Sequence, residues 1–205
     1  GNFFFSLFVA LITFVLLPYL SSFMPVAYTG LVLAGGAFVA LLFFPFAPQL
    51  TARFGAQRLI LVFAVLEMAA LVALAATPGP VAGAFFVAVT IALQPFIAYK
   101  LDILLEATVA EEGVTGRVRA LFLTAWNLAA LVAAPFIGIL LISTDAYGNV
   151  FFAAAIALVP FVILLASARL PQKAPPQLSN VGETLRCIMR DRDLAAVTFG
   201  HLLLY

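Results

Sequence analysis

Apolar positions in this chain come in blocks of roughly twenty residues, separated by short polar breaks. A block of that length is what an α-helix needs to cross the hydrocarbon of a bilayer. The pattern predicts an all-α membrane protein with six complete spans: Phe3–Ser22, Ala27–Gln49, Arg58–Thr77, Pro80–Leu101, Arg119–Ser143 and Val150–Ala168. A polar stretch follows, LPQKAPPQLSNVGETLRCIMRDRD, whose paired prolines and mixed charges read as an exposed linker with room for one short surface helix. AAVTFGHLLLY then opens a seventh apolar run. The expected division is a six-helix bundle over 1–168, a linker over 169–193 and the start of a second bundle over 194–205. A half-span leaves backbone groups unpaired in lipid, and there is no initiator methionine. The expectation is therefore a fragment covering the front half of a longer chain.

Composition changes the picture only by excluding water as the main solvent. The chain is 65% hydrophobic and 9% charged, where soluble domains carry about 25% charged residues. A net charge of +1 gives no case for nucleic acid as a partner. The single cysteine, Cys187, allows neither an internal disulfide nor a cysteine-built zinc site. The first apolar run is long enough to span and no cleavage-like site follows it, so it is not read as a signal peptide.

Charge orients the spans. Of the ten basic residues, all but Lys100 fall in the second–third, fourth–fifth or sixth–seventh connection, and Lys100 lies at the end of span four that leads into one of these. The other three connections, SSFMPV, TPGP and STDAYGN, contain no Lys or Arg. The positive-inside rule then places the basic connections, the linker and the N-terminus in the cytoplasm, with the plasma (inner) membrane as the expected location.

The loop LTARFGAQR is similar to the signature between the second and third helices of the major facilitator superfamily, roughly G-x-x-x-D-R-x-G-R-R. Pro48, Ala52, Arg53, Phe54, Gly55, Ala56 and Gln57 occupy the signature positions; Arg53 and Gly55 match, and Arg58 supplies the trailing charge. The first glycine and the acidic residue are missing. A second signature of the family, ending G-P-x-x-G-G on the fifth helix of antiporters, meets Ala134, Pro135, Phe136, Ile137, Gly138 and Ile139 here, so only Pro135 and Gly138 survive. Upstream, Ala130 and Leu121 stand where glycines are expected, which is too little to argue antiport. EEGVTGRVRALF also resembles the family's inner loop. The resemblance implies the first six helices of a twelve-helix transporter, built as a 3+3 inverted repeat, with the second bundle of the same chain as its partner.

Several residues are candidates for chemistry. Glu67 lies near the middle of span three, where an ionised carboxylate costs about 2.5–3.5 kcal/mol or more. It must be protonated, paired or facing water, and it is either a proton-coupling group or a hydrogen-bonded staple between helices. The family's third helix usually packs outside the central cavity, which favours the staple. Asp102 and Glu106 share a helix face, and with Arg53, Arg58 and Arg119 they could form an ion-pair latch that stabilises one conformation, while Lys100 points away. Pro18 and Pro95 interrupt spans one and four at similar depths, and paired interruptions point to a substrate site in inverted-repeat transporters. In the family these helices line the cavity, which nominates Thr13, Tyr19, Thr90, Gln94 and Tyr99. Proline is also common in membrane helices without such a role. Asn127 is either a substrate contact or a helix bridge, and His201 lines the cavity, relays protons or is merely packed. Gly30, Gly35 and Gly36 are expected to permit close helix approach.

No phosphate-binding loop, metal constellation or nucleophilic triad is visible, so no enzyme and no cofactor is expected. The expected function is secondary transport of a small solute by alternating access, with proton coupling as one option. The alternative is a polytopic membrane protein that does not transport, either receptor-like or a membrane-embedded enzyme module.

Overall fold

The computed structural model describes residues 1–76, 79–108, 112–141, 147–168 and 190, with only the backbone described at 105–108, 112–115 and 117–119. The expected start of a second bundle, with His201, lies outside the described residues, as does the linker apart from Arg190. The chain folds as α1 (Asn2–Ser21), α2 (Val26–Phe43), a 3-10 turn (Phe44–Phe46), α3 (Ala47–Phe54), α4 (Ala56–Ala76), α5 (Pro80–Thr108), α6 (Glu112–Leu140) and α7 (Tyr147–Ser167). Among the described residues six helical segments are long and apolar enough to cross a membrane, as in an integral membrane protein. The second of these is continuous from Val26 to Phe54 through the 3-10 turn.

All spans but the fifth begin close to the expected positions, and the basic connections are shorter than the sequence suggests. Span two does not end at Gln49, because Pro48 opens α3 from a first-turn position, where a missing N–H costs nothing. The helix stops at Gly55, whose φ of 82° is left-handed and closes the turn through a bond from its N–H to the Thr51 carbonyl. Likewise α5 runs on to Thr108 and α6 starts at Glu112, so most of EEGVTGRVRALF is helix rather than loop. Prolines at 18, 95, 135 and 160 lie inside helices. Each removes a rung that neighbouring helices must compensate in lipid.

The core forms where α1, α4 and α7 meet. Phe5, Phe8, Ile12 and Val15 of α1, Ile60 and Leu71 of α4, and Phe151, Leu158 and Phe161 of α7 are all buried in one cluster. Aromatic rings fasten α1 to α7 at both ends: Phe5 lies 5.4 Å from Phe161, and Tyr19 lies 4.9 Å edge-on from Phe151. By contrast α2 and α6 bury the smallest share of their length, and large apolar side chains such as Leu31 and Leu131 point outward. Outward apolar surface of this kind suits lipid rather than water. The main packings join α1 with α6 and α7, α2 with α5, and α4 with α5 and α7.

Long-range polar bonds cluster at one end of the bundle. There Asn2 donates to the Phe122 carbonyl, Gln57 donates to the Leu165 and Ala168 carbonyls at the end of α7, and Lys100 donates to the Ala47 carbonyl. These contacts bring the start of α1, the α3–α4 turn, the last part of α5 and the end of α7 to the same level. The described helix ends that flank the basic connections therefore share one end. At the other end the contacts are aromatic, with Tyr19 meeting Phe23 and Tyr147.

Candidate functional site

Glu67 stands near the midpoint of α4 and is fully buried, so it does not face water. Its α4 neighbours Ala64, Ala70, Leu71 and Leu74 are apolar and also buried. Across the interface on α5, Thr90 is likewise fully buried, and its hydroxyl is the side-chain group that interacts with the Glu67 carboxyl. That approach falls short of ordinary hydrogen-bond geometry, and hydrogen bonds weaken steeply with distance and angle. Both carboxyl oxygens and the Thr90 hydroxyl thus make no bond of ordinary geometry among the described residues.

Threonine hydroxyls in apolar helices normally return to their own backbone. Thr13 does so, donating to the Val9 carbonyl at 2.7 Å, and Thr29, Thr51 and Thr124 donate to the carbonyls of Pro25, Ala47 and Ala120. Among threonines whose side chains are described, only Thr90 leaves its hydroxyl free of such a bond. Its turn of α5 is also held closely from the other side. A Cβ on Gly36 of α2 would lie 2.9 Å from both the Ala88 carbonyl oxygen and the Ile91 Cβ, so only glycine permits this approach. Gly30 and Gly35, expected to act similarly, have open space at the corresponding position.

The other cavity candidates are dispersed. Thr13 and Asn127 are exposed, Gln94 is partly buried, and Tyr99 is exposed with its ring 5.5 Å edge-on from Phe44. Tyr19 packs among Phe23, Tyr147 and Phe151. For the expected latch, Arg53, Arg58 and Asp102 are exposed, and no ion pair joins them among the described residues. Arg53 instead lies over the Phe54 ring at 5.4 Å. Glu106 and Arg119 are on described helices, but their side chains lie outside the description.

Two polar ties were not anticipated from sequence. Lys100 is almost wholly buried, donating to the Ala47 carbonyl at 3.0 Å and to the Thr51 hydroxyl, with the Phe96 and Tyr99 rings 5.6 and 5.1 Å from its ammonium. It thus fastens α5 to the start of α3. Its position as the one basic residue inside an apolar span was the available signal. Gln57, at a signature position of the α3–α4 turn, caps the end of α7 with bonds of 2.7 and 2.9 Å.

No protein-family model matches this chain, and neither a curated protein nor a solved structure matches it.

Proposed function

We propose that this chain is the first six-helix bundle of a secondary transporter of the major facilitator type, moving a small solute by alternating access. The supporting observation is the pairing of its spans. Counting α2 with α3 as span two, the extensive packings are one–five, one–six, two–four, three–four and three–six. Exchanging spans one, two and three with four, five and six returns the same set. A 3+3 repeat predicts that invariance, whereas an unrelated bundle of six helices has no reason to obey it.

The repeat also has a sequence trace. Thr13 precedes Pro18 and Tyr19 by the same spacing at which Thr90 precedes Pro95 and Phe96. These are spans one and four, the pair that the exchange superimposes. Both helices therefore carry a proline break at a corresponding position along their length, as an inverted repeat would place it. The basic end of the bundle is cytoplasmic in this proposal, by the positive-inside rule.

Reconstitution of the full-length protein tests the function. Liposomes preloaded with a defined mixture of sugars, amino acids and amines should exchange at least one labelled member by saturable counterflow. Absence of counterflow for all three classes would count against transport of these solutes and favour a non-transporting protein. Orientation has its own test, in a background with Cys187 replaced. A cysteine at Ala56 should react with an impermeant thiol reagent only from the cytoplasm, and one at Gly79 only from outside. Reaction of position 56 from outside in sealed cells would reverse the orientation.

A further inference from the structure

We propose that Glu67 and Thr90 form a proton-binding site between α4 and α5, with Thr90 as the positioning residue that selects and holds the proton-bearing oxygen. Its use as a coupling site rests on the transporter reading above; its capacity to exchange a proton does not.

Three oxygen atoms carry the inference: the two of the Glu67 carboxyl and the Thr90 hydroxyl. All are buried, and none makes a bond of ordinary hydrogen-bond geometry to a described residue, although the Thr90 hydroxyl lies against the Glu67 carboxyl. A helix staple would have its hydrogen bonds completed, since buried polar groups in native structures nearly always do. A permanently ionised carboxylate would need a counter-charge, and among the described residues none stands at this level on the elements packed against α4. α7 carries no Asp, Glu, Lys, Arg or His. On α5, Lys100 is ten residues beyond Thr90, about 15 Å along the helix. Arg58 of α4 is nine residues before Glu67, also roughly 13–14 Å away, and Arg53 of α3 is farther along the chain. Asp102 lies beyond Lys100 and would repel rather than neutralise a carboxylate. Apart from these charged groups, Tyr147 at the start of α7 is the titratable side chain on α7, well before its midpoint.

The donor set also selects the ion. Hard metal cations take about six to eight oxygens, and two side chains supply three. One proton satisfies the set: an O–H bond forms on one carboxyl oxygen, using a proton delivered by water, and neutralises the charge. The Thr90 hydroxyl can then accept that O–H while donating its own hydrogen to a carbonyl, or donate to the carboxylate after the proton has left. Donating to the carboxylate requires a hydroxyl hydrogen not already committed to its own helix, which distinguishes Thr90 from Thr13.

Access follows from the shape of α5. Pro95 has no N–H, so the Ile91 carbonyl loses its intrahelical donor one residue after Thr90. The same turn is pressed against Gly36 of α2. A local opening of the rung weakened by Pro95, with the Gly36 contact kept, would admit water to Glu67, and its closing would exclude water again. Proton exchange would then report the opening of this rung.

Infrared spectroscopy of the full-length protein in lipid vesicles tests the site without knowledge of the solute. A protonated-carboxyl band, assigned by its loss in Glu67→Gln, should shift in heavy water and titrate away as pH rises. Thr90→Val should change the midpoint by about half to one pH unit, the equivalent of one hydrogen bond, whereas Thr13→Val should not. Sodium chloride at constant pH should leave the band unchanged. A band that neither exchanges nor titrates would overturn the proposal, as would a midpoint indifferent to Thr90→Val or removal of the band by sodium. If the band behaves as expected while no solute exchanges in the counterflow assay, the proton site stands and the transporter reading fails.

Discussion

Spans one and four carry the same local pattern and use it differently. In α1, Thr13 is exposed and bonded to Val9, and Tyr19 beyond the proline packs among aromatic rings. In α5, Thr90 is buried and withheld from its backbone, and Phe96 beyond the proline lies 4.5 Å from Phe63 and beneath the Lys100 ammonium. The spacing fixes where each helix is weakened, because proline removes a rung wherever it stands. The facing helix decides what the threonine becomes. Across from Thr90 stands Glu67, and across from Gly36 stands the turn that carries Thr90. A shared motif thus gives the two helices a shared mechanical break, and only one of them a chemical site.

This contrast can be broken first at Lys100, which stands only in the span-four copy. Lys100→Ala removes two charge-assisted bonds and a buried stem, so it should lower unfolding stability in mixed micelles by about 3 kcal/mol. Arg53→Ala, at an exposed position, should change it by less than about 0.5 kcal/mol. Equal effects would mean that Lys100 does not hold α5 to α3. The next test concerns the turn itself. Gly36→Val places atoms where Ala88 and Ile91 already are, and overpacking of this kind costs roughly 1–3 kcal/mol. Gly35→Val, with open space around it, should stay within about 0.5 kcal/mol. If Gly35→Val were the more damaging, the close approach of α2 to the Thr90 turn would be misplaced.

Much of this architecture was legible in the sequence because lipid imposes a simple rule on it. A run of twenty apolar residues has few folded alternatives in a bilayer, so all six spans are visible as apolar runs alone. The end of span two is not, because Gln49, Thr51 and Arg53 look like a loop by composition, whereas it is the φ of Gly55 that ends the helix. Glu67 and Thr90 each stood out as polar residues in apolar spans, but nothing in the sequence paired them. Their facing positions depend on how α4 and α5 are rotated, which is set by packing of the whole bundle. Gln57 and Lys100 were opaque for the same reason: their acceptors lie 108 and 111 residues away in one case and 53 in the other. The latch was drawn from charge and depth alone, and Arg53, Arg58 and Asp102 form no ion pair with one another among the described residues.

The central claim is that Thr90, unlike Thr13, acts together with Glu67, and a double-mutant cycle measures this directly. Unfolding stability would be compared for Thr90→Val, Thr13→Val and Glu67→Gln, and for each threonine variant combined with Glu67→Gln. Thr90→Val removes a buried hydroxyl that makes no bond of ordinary geometry among the described residues, and should be neutral or stabilising by up to about 1 kcal/mol. Thr13→Val should stay within about 0.5 kcal/mol. The account predicts a coupling energy above about 0.5 kcal/mol between Thr90 and Glu67, and additivity within about 0.3 kcal/mol for Thr13 and Glu67. Additivity in both cycles would contradict it.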